Sequence, residues 1–327
     1  MRAAIFILTQ NTESRRVYLK TTLYFLFRHF NAEYKYPVVI FHEGDYDASA
    51  QREIIMGIRE SCRSLVSFVE LDAADFGGLP AHIDPVRLER ALECEPVPYF
   101  RNAAYRNMCR WWCTRVWDYA QGYEYIMRLD DDAIIEEPIT EDLFTRMAAR
   151  NLVYTSGMVH IDCGICNYGM KDFLTGLYPE KTEFINTLFM KQEIASRDVV
   201  YQGFRRLITV NAAGDVPEIG EKIELQMPVI FYNNFFITKV AFWQREDTRE
   251  LIKKIDETGN IYYWRWGDAP IHTMALALLA NNSEYERTIF RYSKRLQREA
   301  FVDGKGESHA YMPRLYSETS CVTEQKK

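Results

Sequence analysis

No stretch of the chain is apolar for long enough to cross a bilayer. The opening Met-Arg-Ala-Ala-Ile-Phe-Ile-Leu-Thr-Gln carries six consecutive apolar residues, too few for the core of a secretion signal and far below the ~20 of a membrane helix. Charged residues interrupt every later apolar run, so no transmembrane segment is expected. A basic excess is missing as well: 40 Lys and Arg face 46 Asp and Glu, for a net charge of −6. Without it, counterion release gives little reward for binding a polyanion, which argues against nucleic acid as a partner. Cysteine is sparse and odd in number, seven in 327 residues, which excludes the dense framework that staples small secreted domains. Cys163 and Cys166 form a single C-x-x-C with no second pair, the pattern of free thiols or a disulfide before that of a zinc site. Cys109 and Cys113 lie one helical turn apart and read as small buried hydrophobes. Internal repeats are absent. Residues 9–14, after the first apolar run, contain no glycine, whereas a nucleotidyltransferase wants a Gly-rich basic loop there.

Apolar side chains are plentiful: hydrophobic residues make up 47% and aromatics 14%, enough for a large core and a lined cleft. The expected fold is α/β, a mixed and mainly parallel sheet flanked by helices, with one domain over 1–315 and a surface tail over 316–327. A strand over 3–8, a polar turn and a helix over about 15–30 read as the start of a βαβ unit. A second strand, 36–41, ends in His42-Glu43-Gly44-Asp45, and ligands gather at the carboxyl ends of strands in open parallel sheets. Thr9 and Glu43 are candidate ligand contacts on that ground, with a plain turn an equal reading of Glu43. Residues 47–95 suggest an excursion between sheet strands. A buried helix follows from 105 and closes at Gln121-Gly122, then a strand over 123–129. Another strand is expected over 151–154, helix and loop over 170–225, a strand over 229–236 and a helix over 249–258. The last helix begins near Ala269-Pro270, with proline in the first turn, where its missing N–H costs nothing.

The strand over 123–129 delivers Asp130-Asp131-Asp132. Residues two apart share a face of extended chain, so Asp130 and Asp132 point to one side and Asp131 to the other. Two such carboxylates suit a hard divalent cation, Mn²⁺ or Mg²⁺, which would neutralise a departing nucleoside diphosphate. A solvated loop or a helix cap is the alternative for three consecutive aspartates. Three like charges at the tip of a buried strand are unfavourable without a counterion, which favours the cation.

Three segments then fit one family. Tyr105-Arg-Asn-Met-Cys-Arg-Trp111, the strand region 123–135 and above all Arg265-Trp-Gly-Asp-Ala-Pro-Ile-His272 resemble the fungal α-1,2-mannosyltransferases of glycosyltransferase family fifteen. The resemblance touches about two thirds of the chain and is faint over 47–95 and after 285. It implies a GT-A fold, a GDP-mannose donor, Mn²⁺, a glycan or glycoprotein acceptor, and retention at the anomeric carbon. On it, residues 1–135 form the nucleotide-sugar and metal part and 136–315 the acceptor and catalytic part. The metal-side acid falls on Asp130, with Asp132 two beyond, and the metal-binding histidine on His272. Tyr105 would hold donor or acceptor. Arg110 is either a diphosphate contact or a structural ion-pair partner of the acidic strand end, and Asp131 is the weaker cofactor contact. Trp264 and Trp266 stack on a sugar or fill core. Family members are lumenal and membrane-anchored, while this chain opens on its first strand. A cytoplasmic enzyme is therefore expected, the alternative being an excised Golgi-lumenal domain.

One position departs from the family pattern. Where it has a glutamate after Ser-Asn-Phe, this chain reads Asn233-Asn234-Phe235-Phe236, and phenylalanine has no nucleophilic atom. Asp268, just before the helix bearing His272, is the remaining acid for acceptor contact or deprotonation. Two rivals stand beside the transferase: a sugar-phosphate nucleotidyltransferase, and a degenerate GT-A protein that binds glycan or nucleotide without turnover.

Overall fold

The computed structural model describes residues 1–212, 218–294, 300–302 and 308–310. The expected tail, 316–327, lies outside them. In chain order the strands that build the site are Ala3–Leu8 (β1), Val38–His42 (β2), Val66–Glu70 (β3), Tyr125–Leu129 (β4), Ala133–Ile135 (β5), Tyr154–Ser156 (β6), Val159–Ile161 (β7), Phe189–Ala195 (β8), Lys222–Phe231 (β9), Phe235–Lys239 (β10), Tyr285–Arg287 (β11) and Tyr292–Lys294 (β12). A central sheet of seven strands runs β11-β6-β10-β4-β1-β2-β3. Its strands are parallel except β10, which runs against both β4 and β6.

β1, β2 and β4 are buried along almost their whole length, which is why each reads as an apolar run and not as an alternation. One set of alternate residues, Ala4, Phe6, Val39, Phe41, Ile126 and Phe236, joins a core cluster on one face. The other set, Ile5, Ile7, Val38, Ile40, Met127, Phe235 and Ile237, joins a second cluster. Helix α1, Glu13–Leu26, packs on the second face and is capped by Thr12, whose hydroxyl accepts the Arg15 N–H. Helices α2 (Ala103–Thr114), α3 (Glu246–Glu257) and α4 (Asp268–Leu279) supply the first. Arg128 falls on that first face in step with Ile126, and is only 4% exposed. A charge placed there by strand periodicity has to be paired.

Several expectations change. The strand over 229–236 is two strands in two sheets, separated by a turn at Asn233-Asn234. Consecutive asparagines favour such a turn because their side chains take over backbone hydrogen bonding. The stretch 170–225 holds β8 and the start of β9, which pair antiparallel with Ile194 opposite Ile223. β7 joins them in a three-stranded sheet. The region 47–95 contributes the edge strand β3. The first helix continues past Leu26 through a π-helical turn, Phe27–Asn31, and ends near Lys35 in left-handed conformation, φ 59°. Among the described residues no helix is long and apolar enough to cross a membrane.

Candidate active site

The acidic run forms the turn between β4 and β5, at the carboxyl end of a central strand. The Asp130 N–H donates to the Asn234 carbonyl at 2.9 Å, which ties this turn to the Asn233-Asn234 turn. Asp131 points toward α1. Its carboxylate accepts from Thr9 Oγ1 and Arg15 Nη1, both at 2.7 Å, while Thr22 Oγ1 donates to its carbonyl at 2.8 Å. Burial pushes the Asp131 carboxyl up to about 7 in spite of Arg15. Asp130 and Asp132 share Lys294, whose Nζ lies 2.8 Å from Asp130 Oδ2 and 3.8 Å from Asp132 Oδ1, while Asp132 Oδ2 also lies 3.6 Å from Arg15 Nη1. Asp130 Oδ1 also accepts from Arg128 Nε at 3.0 Å. Burial opposes its ionisation, and Arg128 with Lys294 outweighs burial, so Asp130 sits below the usual carboxylate range.

Arg128 links this turn to α4. Its Nη1 donates to Asp268 Oδ2, and its guanidinium lies 4.2 Å over the Trp112 ring. Asp268 is buried and also accepts from Asn233 Nδ2 at 3.2 Å. As placed, it orders Arg128 and Asn233 and does not face solvent as a free base. Burial is the largest single influence and raises its pKa, but Arg128, His272 and Asn233 together outweigh burial and hold it below the usual carboxylate range.

His272 is fully buried. Its Nε2 lies 3.1 Å from the Trp112 carbonyl, which can only accept, so Nε2 carries the proton. Nδ1 then accepts from Asn233 Nδ2 at 3.3 Å. The rings of Trp117, Phe236 and Trp243 surround it. Burial lowers its pKa to about 4 although Asp268 opposes this. With both nitrogens engaged, His272 does not join Asp130 and Asp132, and the expected three-residue shell is not assembled. Among the described residues no three His, Cys, Asp or Glu side chains stand as a metal-holding group. The two carboxylates alone still fit a hard cation, because the Lys294 ammonium already stands where positive charge is demanded between them. Beside them Asn234 Nδ2 is buried and finds no hydrogen-bond partner among the described residues.

The other candidates fall around this centre. Tyr105 is half-buried, 5.7 Å beneath the Arg265 guanidinium, in the motif that also carries Asp268. Arg110 makes a bidentate pair with Asp256 of α3, at 2.7 and 2.8 Å, and does not reach the acidic turn. Its partner acid was not distinguishable from sequence, since any carboxylate on a facing helix would serve. Thr9 holds Asp131, and Glu43 is exposed at the end of β2. Trp264 and Trp266 are core residues. Cys163 and Cys166 are free thiols, with Arg265 Nη2 against Cys166 Sγ. Arg15, Arg128, Lys294 and Asn233 were missed as members of the site. Only Arg128 had a signal, a cation inside a buried strand; Lys294 had none.

The description "Glycolipid 2-alpha-mannosyltransferase" belongs to the family whose pattern matches residues 1–290. The probable mannosyltransferase KTR3 of Saccharomyces cerevisiae is 26% identical over 259 residues, 77% of this chain and 53% of its own length. Glycolipid 2-alpha-mannosyltransferase 1 of Candida albicans is 28% identical over 55% of this chain and 37% of its own. The chain thus spans about half the length of the curated relatives it matches. Among solved structures, the mannosyltransferase Ktr4p of S. cerevisiae aligns with TM-score 0.68 at 20% identity, over 91% of this chain and 71% of that one. Core-mannan synthase A of Aspergillus fumigatus, in its Mn/GDP form, aligns with TM-score 0.66 at 18% identity, over 89% and 74%. These likenesses show the fold, which is GT-A.

Proposed function

The chain belongs to the glycolipid 2-alpha-mannosyltransferase family, and on that premise we propose that it moves mannose from GDP-mannose to a hydroxyl of a glycan or glycoprotein, with retention. The observation that carries this reading is the family match over 1–290, which spans both the acidic turn after β4 and the segment 265–272.

Asp130 and Asp132 would hold Mn²⁺ or Mg²⁺, which when bound supplies positive charge to the departing diphosphate. The chain's own cations point at the same place. Arg128 is held by Asp130 and Asp268, so its charge is fixed before any ligand arrives. The buried Asn234 Nδ2, without a partner among the described residues, would offer a donor to a phosphate oxygen. Phe236 is fully buried, packed against Trp112, Tyr154 and His272. An apolar ring there cannot form a glycosyl–enzyme bond, which favours entry of the acceptor hydroxyl on the face that the leaving group vacates. In that reaction the bond from the anomeric carbon to the diphosphate's bridging oxygen breaks as the bond to the acceptor oxygen forms on the same face, and the hydroxyl proton passes to the departing phosphate. Tyr105, whose ring lies 5.7 Å from the Arg265 guanidinium of the 265–272 segment, would orient donor or acceptor.

The degenerate-binder reading keeps one observation in its favour, the phenylalanine at 236. Incubation with GDP-mannose, Mn²⁺ and a mannoside acceptor separates the two: GDP release together with an extended mannoside supports transfer. GDP binding without turnover under every donor tried supports the binder. Release from a UDP-sugar and none from GDP-mannose would overturn the donor assignment alone.

A further inference from the structure

We propose that Lys294 is a tethered cation that fills the position between Asp130 and Asp132 and must leave it for a divalent ion to bind, so that this side chain sets the metal affinity of the site. The inference rests on the reading of Asp130 and Asp132 as the metal-side acids. Each carboxylate has one oxygen turned outward to a guanidinium: Asp130 Oδ1 to Arg128 Nε at 3.0 Å, Asp132 Oδ2 to Arg15 Nη1 at 3.6 Å. The inner oxygens, Asp130 Oδ2 and Asp132 Oδ1, face Lys294 at 2.8 and 3.8 Å. A divalent ion needs those same lone pairs at about 2.1 Å, which an ammonium in contact with them prevents.

The backbone position of Lys294 is set by the fold, and its side chain reaches the acids from there. β12 pairs antiparallel with β5, and the register sets Lys294 opposite Ala133, the residue after Asp132. The ammonium also lies 5.4 Å from the Tyr232 ring, which gives it a second favourable face. Two residues earlier on the same strand, Tyr292 donates to Asn234 Oδ1 at 3.1 Å, and Asn234 keeps a buried Nδ2 with no partner among the described residues. An unpaired donor beside an acid pair that its own cations neutralise suits an anion arriving together with a second cation.

The test is titration of the full chain with Mn²⁺ alone, no nucleotide present, by calorimetry and by the loss of the free-ion paramagnetic resonance signal. Wild type is compared with Lys294→Met, Lys294→Gln and Lys294→Arg, each verified as folded by circular dichroism. Removing one unit charge within 4 Å of both acids is expected to tighten Mn²⁺ binding about tenfold or more in the Met and Gln variants, with Lys294→Arg close to wild type. Mn²⁺ should also raise the melting temperature of the Met variant more than that of wild type. Unchanged or weaker Mn²⁺ binding by folded Met and Gln variants, beside measurable binding by wild type, overturns the competition and leaves the metal reading standing. No Mn²⁺ binding by any variant, with or without GDP, overturns both.

Discussion

Replacing His272 with glutamine tests the site at the point where sequence and structure part. In the fold the imidazole is neutral, with Nε2–H donating to the Trp112 carbonyl and Nδ1 accepting from Asn233. Its pKa falls from 6.5 to about 4, chiefly through burial. A folded pKa below the unfolded one means stability that is present above about pH 6.5 and lost as the pH falls toward 4. At 1.36 kcal/mol per unit, a depression of about 2.5 units is worth about 3 kcal/mol, of which about 2 is already gone at pH 5. Asp131 works the other way: its carboxyl is raised to about 7, so it adds stability as the pH falls through 7. The quantity to read is therefore the difference in slope between the two proteins. Urea unfolding at several pH values from 7.5 to 4.5, without metal, should give a wild-type acid limb steeper than that of His272→Gln by about 2 kcal/mol between pH 7 and 5. Parallel limbs would refute a buried neutral histidine and return His272 to the metal shell.

Four further outcomes follow from the same geometry. Asp130→Ala should lose about a hundredfold or more in kcat with GDP-mannose, read as GDP release. GDP should bind more tightly with Mn²⁺ than with chelator in calorimetric titration, and equal affinity would remove the metal from donor binding. Phe236→Glu should not be required for turnover and should destabilise the fold by about 2 kcal/mol or more in chemical denaturation, because it puts a carboxylate among aromatic rings; an inert wild type revived by this change would establish the degenerate-binder reading. Arg110→Ala should cost about 1–3 kcal/mol of stability through loss of the bidentate Asp256 pair and leave the donor KM unchanged, since Arg110 does not reach the acidic turn.

What could be read from the sequence divides along the range of the interactions involved. β1, β2 and β4 were legible because a doubly buried parallel strand must be an apolar run, and Asp130 at the tip of β4 because charge after such a run is conspicuous. β9 carried a strand signal that went unused: Ile223 and Leu225 are buried between exposed Lys222 and Glu224, an alternation with period two. The partition of the acids was implied by their spacing, Asp131 toward α1 and the other two together, but their partners were not. Arg15 lies 116 residues from Asp131 and Lys294 lies 164 from Asp130. No local pattern encodes such a pairing, because it is set by the register of β12 on β5 and by the packing of α1 on the sheet. The same holds for His272, where a motif identifies the residue but only Trp112 and Asn233 decide which way its nitrogens face. A charged cluster with its own cations in place does not require a bound metal to be stable. The argument that three aspartates must imply a metal therefore weakens once Arg15, Arg128 and Lys294 are seen. The case for a metal then rests on chemistry, the charge of the departing diphosphate, and its measurable signature is the competition at Lys294.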